Sequence, residues 1–319
     1  MRAVRYGPGG VELVDVEPAR PGDGLVEVAV AAAGICGTDL TLGPLGMLPA
    51  VPGHEIAGRL PDGTPVAIEP LDGCGGCDCC TRGDYHLCRT GASRMLGIGA
   101  DGGMAERVLA RGDMVTRLPA GLAPEDASLV EPLAVAVHGL RIAGLEPGQR
   151  VAVVGGGTIG LCAAAATLAL AGTDAGAVAL EARHEHQRLA AEALGASTSL
   201  QGQFDLVVEA AGSESAVERG LHLVRPGGTL LVLSMHVGVF PMQFLPAMMK
   251  EVRIVTSLTY NRHAGGRDFD SAAALLAARP EIASILITHR FPLEESRAAF
   301  AVAADRSSGA IKVVIEPGG

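Results

Sequence analysis

Val151-Ala152-Val153-Val154-Gly155-Gly156-Gly157-Thr158-Ile159-Gly160 is the stretch on which the fold turns. Four apolar residues of strand type run into a glycine-rich loop, and the loop opens a long Ala- and Leu-rich helix. Strand, loop and helix in that order form a unit suited to a dinucleotide. Gly155 permits the tight turn, Gly157 lets the backbone approach a pyrophosphate, and Gly160 lets helix and strand pack closely. The helix N-terminus, with Thr158 and Ile159 in its first turn, presents N–H donors to the anion. Glu181 closes the next strand 26 residues after Gly155, where a carboxylate accepts hydrogen bonds from the adenosine ribose and repels a 2′-phosphate. That placement favours NAD. Arg183, two residues further on, can pair with such a phosphate and keeps NADP open.

Outward from this loop, apolar strands alternate with amphipathic helices, the pattern of βαβ units and a parallel sheet. Strands are expected at Val151 to Val154, Ala177 to Glu181, Ser197 to Leu200, Phe204 to Glu209, Thr229 to Ser234 and Arg253 to Ser257. Upstream, residues 1–133 are rich in Gly and Pro, with short β-type runs at Leu25 to Val30, Thr64 to Ile68 and Glu106 to Leu109. The chain therefore divides into a β-rich domain, 1–133, and a nucleotide-binding domain, 134–261. Residues 262–319, with a helix near Phe269 to Ala278, a break at Phe291-Pro292 and a closing strand at Lys312 to Ile315, are expected to return to the first domain.

Both metal-type constellations fall in the β-rich part. Seven cysteines are an odd number for a disulfide framework, and five of them occupy the fifteen positions from Cys74 to Cys88. In a reducing compartment such clustering reads as metal binding. Cys74, Cys77, Cys80 and Cys88, separated by two, two and seven residues, can fold back as four thiolates around one tetrahedral zinc, a closed structural site. Cys79 is a spectator in this register. Cys36, His54 and a carboxylate, Glu55 or Glu131, supply only three protein ligands and leave a position open, the arrangement of a catalytic metal. The other histidines have no comparable spacing and read as surface or core residues, and Cys162 lies inside the apolar helix.

The 319 residues suffice for two domains, and a hydrophobic content of 48% fits a globular enzyme. A formal net charge of −10 without a cluster of Lys or Arg argues against nucleic-acid binding. The longest apolar stretch, Ile159 to Ala171, falls short of the roughly 20 residues that span a bilayer, so no membrane partner is expected. Met1-Arg2-Ala3-Val4-Arg5-Tyr6 contains no apolar signal core, and a cytoplasmic location is the expectation.

Gly34-Ile35-Cys36-Gly37-Thr38-Asp39, then Pro52-Gly53-His54-Glu55, the cysteine quartet, Glu131-Pro132-Leu133 and the glycine loop together resemble the zinc-dependent medium-chain dehydrogenases of the alcohol dehydrogenase superfamily. The resemblance covers nearly the whole chain. Glu131-Pro132-Leu133-Ala134 stands where alcohol dehydrogenases proper carry a ligating cysteine, which is similar to the sorbitol, threonine and glucose dehydrogenase branch. The resemblance implies an α/β fold: a β-rich GroES-like catalytic domain and a doubly wound Rossmann domain, with a cleft between them. It implies two zinc ions per chain and NAD, with NADP possible. Cys36 and His54 would bind the catalytic zinc with Glu55 or Glu131, Thr38 would bond the substrate oxygen, and Asp39 would orient the loop. A homodimer or homotetramer is also implied.

The activity so implied is hydride transfer between a secondary alcohol, such as a polyol, sugar or amino alcohol, and the nicotinamide. A metal with an open position lowers the pKa of a bound hydroxyl, and hydride then passes to a ring held in line with it. Two other functions stay in view. One is an NADPH-preferring carbonyl reductase of the same family, and the other a non-catalytic, zinc-stabilised nucleotide-binding protein. The second draws on departures from the family pattern: Thr41 stands where many relatives carry a relay histidine, and the segments Leu42 to Val51 and Arg59 to Pro65 are short.

Overall fold

The chain begins with β1 (Arg2–Gly7) and β2 (Gly10–Asp15), an antiparallel hairpin. This is a computed structural model, which describes residues 1–318 apart from 19, 49, 173–176 and 237–240. The long β3 (Leu25–Gly34) carries its inner face into the core, and the chain turns from it into the short helix α1 (Gly37–Leu42). There follow β4 (Glu55–Arg59), β5 (Pro65–Ile68), α2 (Asp78–Thr81), α3 (Gly91–Arg94), β6 (Arg107–Arg111) and β7 (Val115–Arg117). Helix α4 (Val130–Ala143) ends this part. The run expected at Leu25 to Val30 extends to Gly34 because Ala32, Ala33 and Gly34 pair with Ala57, Ile56 and Glu55 of β4.

The next part is β8 (Val151–Val154), α5 (Thr158–Leu170), β9 (Val178–Glu181), α6 (Glu185–Leu194), β10 (Phe204–Glu209), α7 (Glu214–Leu223), β11 (Val224–Val232), α8 (Phe244–Met249) and β12 (Arg253–Thr256). Its five strands lie in the order β12-β11-β10-β8-β9, and every pair is parallel. All four residues of β8 are buried, as a central parallel strand covered on both faces demands. The sixth strand expected at Ser197 to Leu200 is not one. Ser197 makes a single bridge to Ala179, and of the residues that follow to 200 only Leu200 is apolar, packed partly buried against the core.

The tail opens with the small hairpin β13 (Arg262–His263) and β14 (Gly266–Arg267), then α9 (Asp268–Ala278), α10 (Glu281–Leu286), β15 (Ile287–Pro292), α11 (Ser296–Ala304) and β16 (Lys312–Glu316). Phe291 and Pro292, expected as a break, are the last residues of β15, where the missing N–H of proline costs least. β16 lies parallel to β15 and antiparallel to β3, which completes a sheet ordered β15-β16-β3-β4-β5-β7, with β6 also paired to β3. Two compact units result: Met1–Glu131 with Asn261–Gly319, and Pro132–Tyr260. The first has a core of Val28, Val30, Ile56, Val66, Ile68, Met104 and Ile315, and the second one of Ala152, Phe204, Val207, Leu221 and Leu230.

Candidate active site and metal lobe

The cysteine lobe is built locally. Cys74 and Cys77 flank a turn in which Gly75 adopts φ +73°, Cys80 sits on α2, and a 3-10 turn at Tyr85–Leu87 brings the chain back to Cys88. The four sulfurs all lie within 4.8 Å of one another. Cys74 Sγ is 4.0 Å from Cys80 Sγ, and Cys77 Sγ is 3.9 Å from Cys88 Sγ. Four sulfurs about 2.3 Å from a tetrahedral zinc stand about 3.8 Å apart, so the cage has the dimensions of that ion. The Cys74 N–H donates to Cys88 Sγ and the Cys77 N–H to Cys74 Sγ, each at 3.3 Å. These donors favour thiolates. The Cys74 and Thr90 N–H groups bring Cys88 down to about 6, whereas burial pushes Cys80 up to about 12. Cys79 stands outside the cage, with the Arg82 guanidinium 3.7 Å from its sulfur.

The second set draws on distant parts of the chain. Cys36 is the N-cap of α1, and its N–H donates to Asp39 Oδ2 at 2.9 Å. Its thiol donates to Thr38 Oγ1 at 3.7 Å. His54, buried to 4% exposure just before β4, lies within hydrogen-bonding reach of Cys36, and Glu131 in the first turn of α4 acts on the same ring. Burial opposes a charge on this imidazole, but Cys36, Asp39 and Glu131 outweigh it and hold its pKa well above the usual histidine value. Conversely, burial raises Asp39 above the usual carboxylate range against the pull of His54.

His54 Nδ1 and Asp39 Oδ1 face each other at 3.9 Å, and neither buried atom makes a hydrogen bond. Nε2 is the nitrogen left to bind a metal. Thiol, imidazole and carboxylate form the donor set of an open zinc site, and a cluster of buried titratable groups this rich is what a cation stabilises. The side chains are less tightly drawn in than the quartet, which among the described residues is the one group of three or more such ligands within 4.8 Å throughout.

Glu55, expected as an alternative ligand, is engaged elsewhere. Both of its carboxylate oxygens lie 2.6 Å from Lys312 Nζ, and both residues are buried, at 1% and 2% side-chain exposure. Lys312 Nζ also donates to the Ile35 carbonyl at 2.9 Å, next to Cys36. Gly34 is required here, since a Cβ would stand 1.8 Å from Glu55 Oε2. Lys312 was passed over in the sequence, although a lysine opening the otherwise apolar Val313-Val314-Ile315 signals a buried anion to pair with.

In the other unit, Gly155 adopts φ +119° with its α-carbon against the Ala210 and Ala211 backbone, and a Cβ on Gly160 would stand 1.8 Å from the Gly155 carbonyl oxygen. Gly157, the N-cap of α5, has open space where a Cβ would point, which is the cradle a pyrophosphate fills. Thr158 and Ile159 follow in the first turn, half-buried. Glu181 ends β9 and accepts from Arg219 Nε of α7 at 2.8 Å, a partner missed in the sequence. Arg183 is exposed, and its carbonyl accepts from Arg188.

Comparison with known proteins agrees with this construction. Residues 22–120 match the model of the alcohol dehydrogenase GroES-like domain, and residues 155–278 that of the zinc-binding dehydrogenase. The chain is 32% identical to L-galactonate-5-dehydrogenase of Escherichia coli K12, covering 85% of this chain and 86% of that protein. It is 30% identical to D-xylulose reductase A of Aspergillus oryzae, covering 86% and 85%. A solved structure described as a candidate zinc-binding dehydrogenase from Sinorhizobium meliloti 1021 bound to NADP superposes with a TM-score of 0.87 at 29% identity, over 99% of both chains. With two zinc-type cysteine and histidine sets in the β-rich unit and a glycine-loop sheet in the other, the chain belongs to the zinc-binding, medium-chain dehydrogenases of the alcohol dehydrogenase superfamily, enzymes of secondary-alcohol and polyol oxidoreduction.

Proposed function

We propose that this dehydrogenase oxidises a secondary hydroxyl of a polyol or sugar acid with NAD, using Cys36, His54 and Glu131 to hold a catalytic zinc and the cysteine quartet to hold a structural one. The observation that carries it is the pairing of half-buried Cys36 with buried His54, with Glu131 acting on the same imidazole. A zinc held there supplies Lewis acidity toward a substrate hydroxyl. The rest is work for the chain. Thr38 holds the hydroxyl proton, since its Oγ1 lies beside the Cys36 sulfur and can accept and donate at once. Asp39 faces Nδ1 and so keeps Nε2 toward Cys36. Lys312 holds Glu55 out of the donor set, which supports Glu131 as third ligand. The Gly155, Gly157 and Gly160 backbone with Thr158 and Ile159 cradles the pyrophosphate, and Glu181 binds the adenosine ribose.

The test is an initial-rate screen of polyols, sugar acids, amino alcohols and simple secondary alcohols with NAD and NADP on metal-replete protein. No turnover across the panel, with one zinc per chain by metal analysis, would favour the non-catalytic nucleotide-binding reading instead. Carbonyl reduction with NADPH is a second reading, supported by Arg219, which partly neutralises Glu181, and by the exposed Arg183. Faster initial rates with NADPH on ketones would establish it.

The assembly proposed is a homodimer through unit Pro132–Tyr260. β12 is the outer strand of its sheet, and the adjoining α8 exposes Phe244, Leu245, Met248 and Met249 at 64%, 62%, 58% and 75%. A second copy that continues the sheet covers both an unused strand edge and this apolar face. Light scattering that finds a monomer would exclude it. Seven free thiols fit the reducing cytoplasm, and no helix among the described residues is long and apolar enough to cross a membrane.

A further inference from the structure

The end of β9 carries an ion pair fixed against the glycine loop. The Gly155 N–H donates to the Glu181 carbonyl at 2.9 Å, and Glu181 pairs in register with Val154 of β8. The loop that follows β9 packs on Gly156, where a Cβ would stand 2.5 Å from Ala182 Cβ and 2.8 Å from Gln187 Cβ. Glu181 is thereby held beside the pyrophosphate cradle, where the ribose of a dinucleotide lies. From the other side comes the turn into α7. Its Ala210 and Ala211 backbone stands 2.8 Å from where a Cβ on Gly155 would be. Buried Glu209 ties this turn down: its carboxylate accepts the N–H groups of Ala211 at 2.9 Å and Gly212 at 2.7 Å and the Ser234 hydroxyl, with His236 Nε2 at 3.5 Å. Arg219 reaches Glu181 from the helix so anchored.

The guanidinium meets a single oxygen of the carboxylate. Arg219 Nε and Nη2 both lie 2.8 Å from Glu181 Oε2. Among the described residues no donor is bonded to Oε1 and no acceptor to Arg219 Nη1, and the two side chains are 42% and 41% exposed. A guanidinium has five N–H donors in a rigid fork, so the pair presents an acceptor and a donor edge together. A ribose 2′-hydroxyl needs the acceptor. A 2′-phosphate needs charged donors and relief from the repulsion of a bare carboxylate. Arg183 is less well prepared for that phosphate. It is exposed, no partner among the described residues orients its side chain, and its carbonyl and that of Ala182 are held by Arg188 Nη1 at 2.9 and 3.3 Å. A side chain that is already ordered loses less freedom on binding.

We propose that Arg219, in place of Arg183, sets the tolerance of this dehydrogenase for NADP: paired with Glu181, it lets one ribose subsite take a 2′-hydroxyl at Oε1 or a 2′-phosphate at the guanidinium. The inference rests on the dinucleotide reading given above and deepens it by naming the residue that meets the phosphate. NAD stays the better ligand because the carboxylate remains, and NADP is admitted because its charge is offset.

The test measures binding on metal-replete protein: NADH and NADPH by fluorescence, with adenosine 2′,5′-bisphosphate and 5′-AMP as competitors that differ in the 2′-phosphate alone. Wild type is expected to bind NADPH within about tenfold of NADH, about the worth of one hydrogen bond to a charged group. Arg219→Gln weakens NADPH and the bisphosphate by about tenfold or more and leaves NADH and 5′-AMP within about threefold. Arg219→Lys keeps the charge without the fork and lowers the NADPH-to-NADH affinity ratio by about threefold. Arg183→Gln lowers that ratio by less than about threefold, as an unanchored surface charge does. Added salt weakens NADPH more than NADH in wild type, and this excess shrinks in Arg219→Gln. Equal loss of NADH and NADPH in Arg219→Gln, which a purely structural pair gives, overturns the inference while the dinucleotide reading stands. So does an unchanged ratio in Arg219→Lys, a selective loss of NADPH in Arg183→Gln, or a wild type that binds NADH but rejects NADPH by more than about tenfold. A wild type that binds neither cofactor overturns both readings, and shows it before any variant is made.

Discussion

The cysteine lobe and the Cys36–His54 pocket use the same ligand chemistry in opposite ways. The lobe closes within fifteen residues, on a turn and one turn of helix, and its members are exposed or half-exposed. The pocket collects residues 36, 54 and 131, with Lys312 behind them from the far end of the chain, and its histidine and carboxylates are buried. A local cage has no scaffold to hold it without its ion, so metal binding there is folding. The pocket is held by the sheet, so an ion bound there, as proposed, would be available for chemistry.

Several substitutions test that contrast. The largest effect is expected for His54→Ala and Cys36→Ser, which should lower kcat/KM by more than about a thousandfold, because loss of the metal removes several kcal/mol of transition-state stabilisation. Thermal melts should shift little, and a collapse of Tm equal to that of lobe variants would erase the distinction between the two regions. Lys312→Met leaves Glu55 buried without its partner and should cost about 3–5 kcal/mol in denaturant unfolding. Adding Glu55→Leu should restore most of it. If Lys312→Met is neutral, Glu55 is not held by this pair, and its exclusion from the metal fails with it.

Smaller effects belong to the lobe. Cys80→Ser should remove one of two zinc ions and lower Tm by about 5–10 °C, with kcat per folded chain retained. Mild chelation monitored by zinc release should strip the lobe of wild type in step with that loss of Tm. The smallest effect is expected for Glu181→Ala, which should reduce kcat/KM with NAD about tenfold through lost ribose hydrogen bonds while raising use of NADP. No change in the cofactor ratio would mean that Arg219 already neutralises this carboxylate.

How much of this was legible depended on distance along the chain. The glycine loop, the parallel sheet around it and the quartet are written in short segments, and the expected strand Phe204 to Glu209 is the observed β10. Ser197 to Leu200, expected as a strand, makes only the bridge of Ser197 to Ala179, since three of its four residues are polar and a strand needs apolar side chains to cover the sheet. The choice between Glu55 and Glu131 stayed open in the sequence, since both are acidic and both adjoin motif residues. His236 read as an ordinary histidine because Glu209 and Ser234 are 27 and 2 residues away.

By itself, the sequence determined what depends on neighbours along the chain: loop conformation at glycines, strand and helix periodicity, and a cysteine cage closed by its own spacing. Only the tertiary structure decided which carboxylate Lys312 holds, which nitrogen of His54 faces Asp39, that Arg219 pairs with Glu181 and that His236 joins Glu209. The physical reason is that a buried charge must find its counter-charge in space. Strand pairing, here β16 against β3, brings together residues that nothing in their local sequence relates.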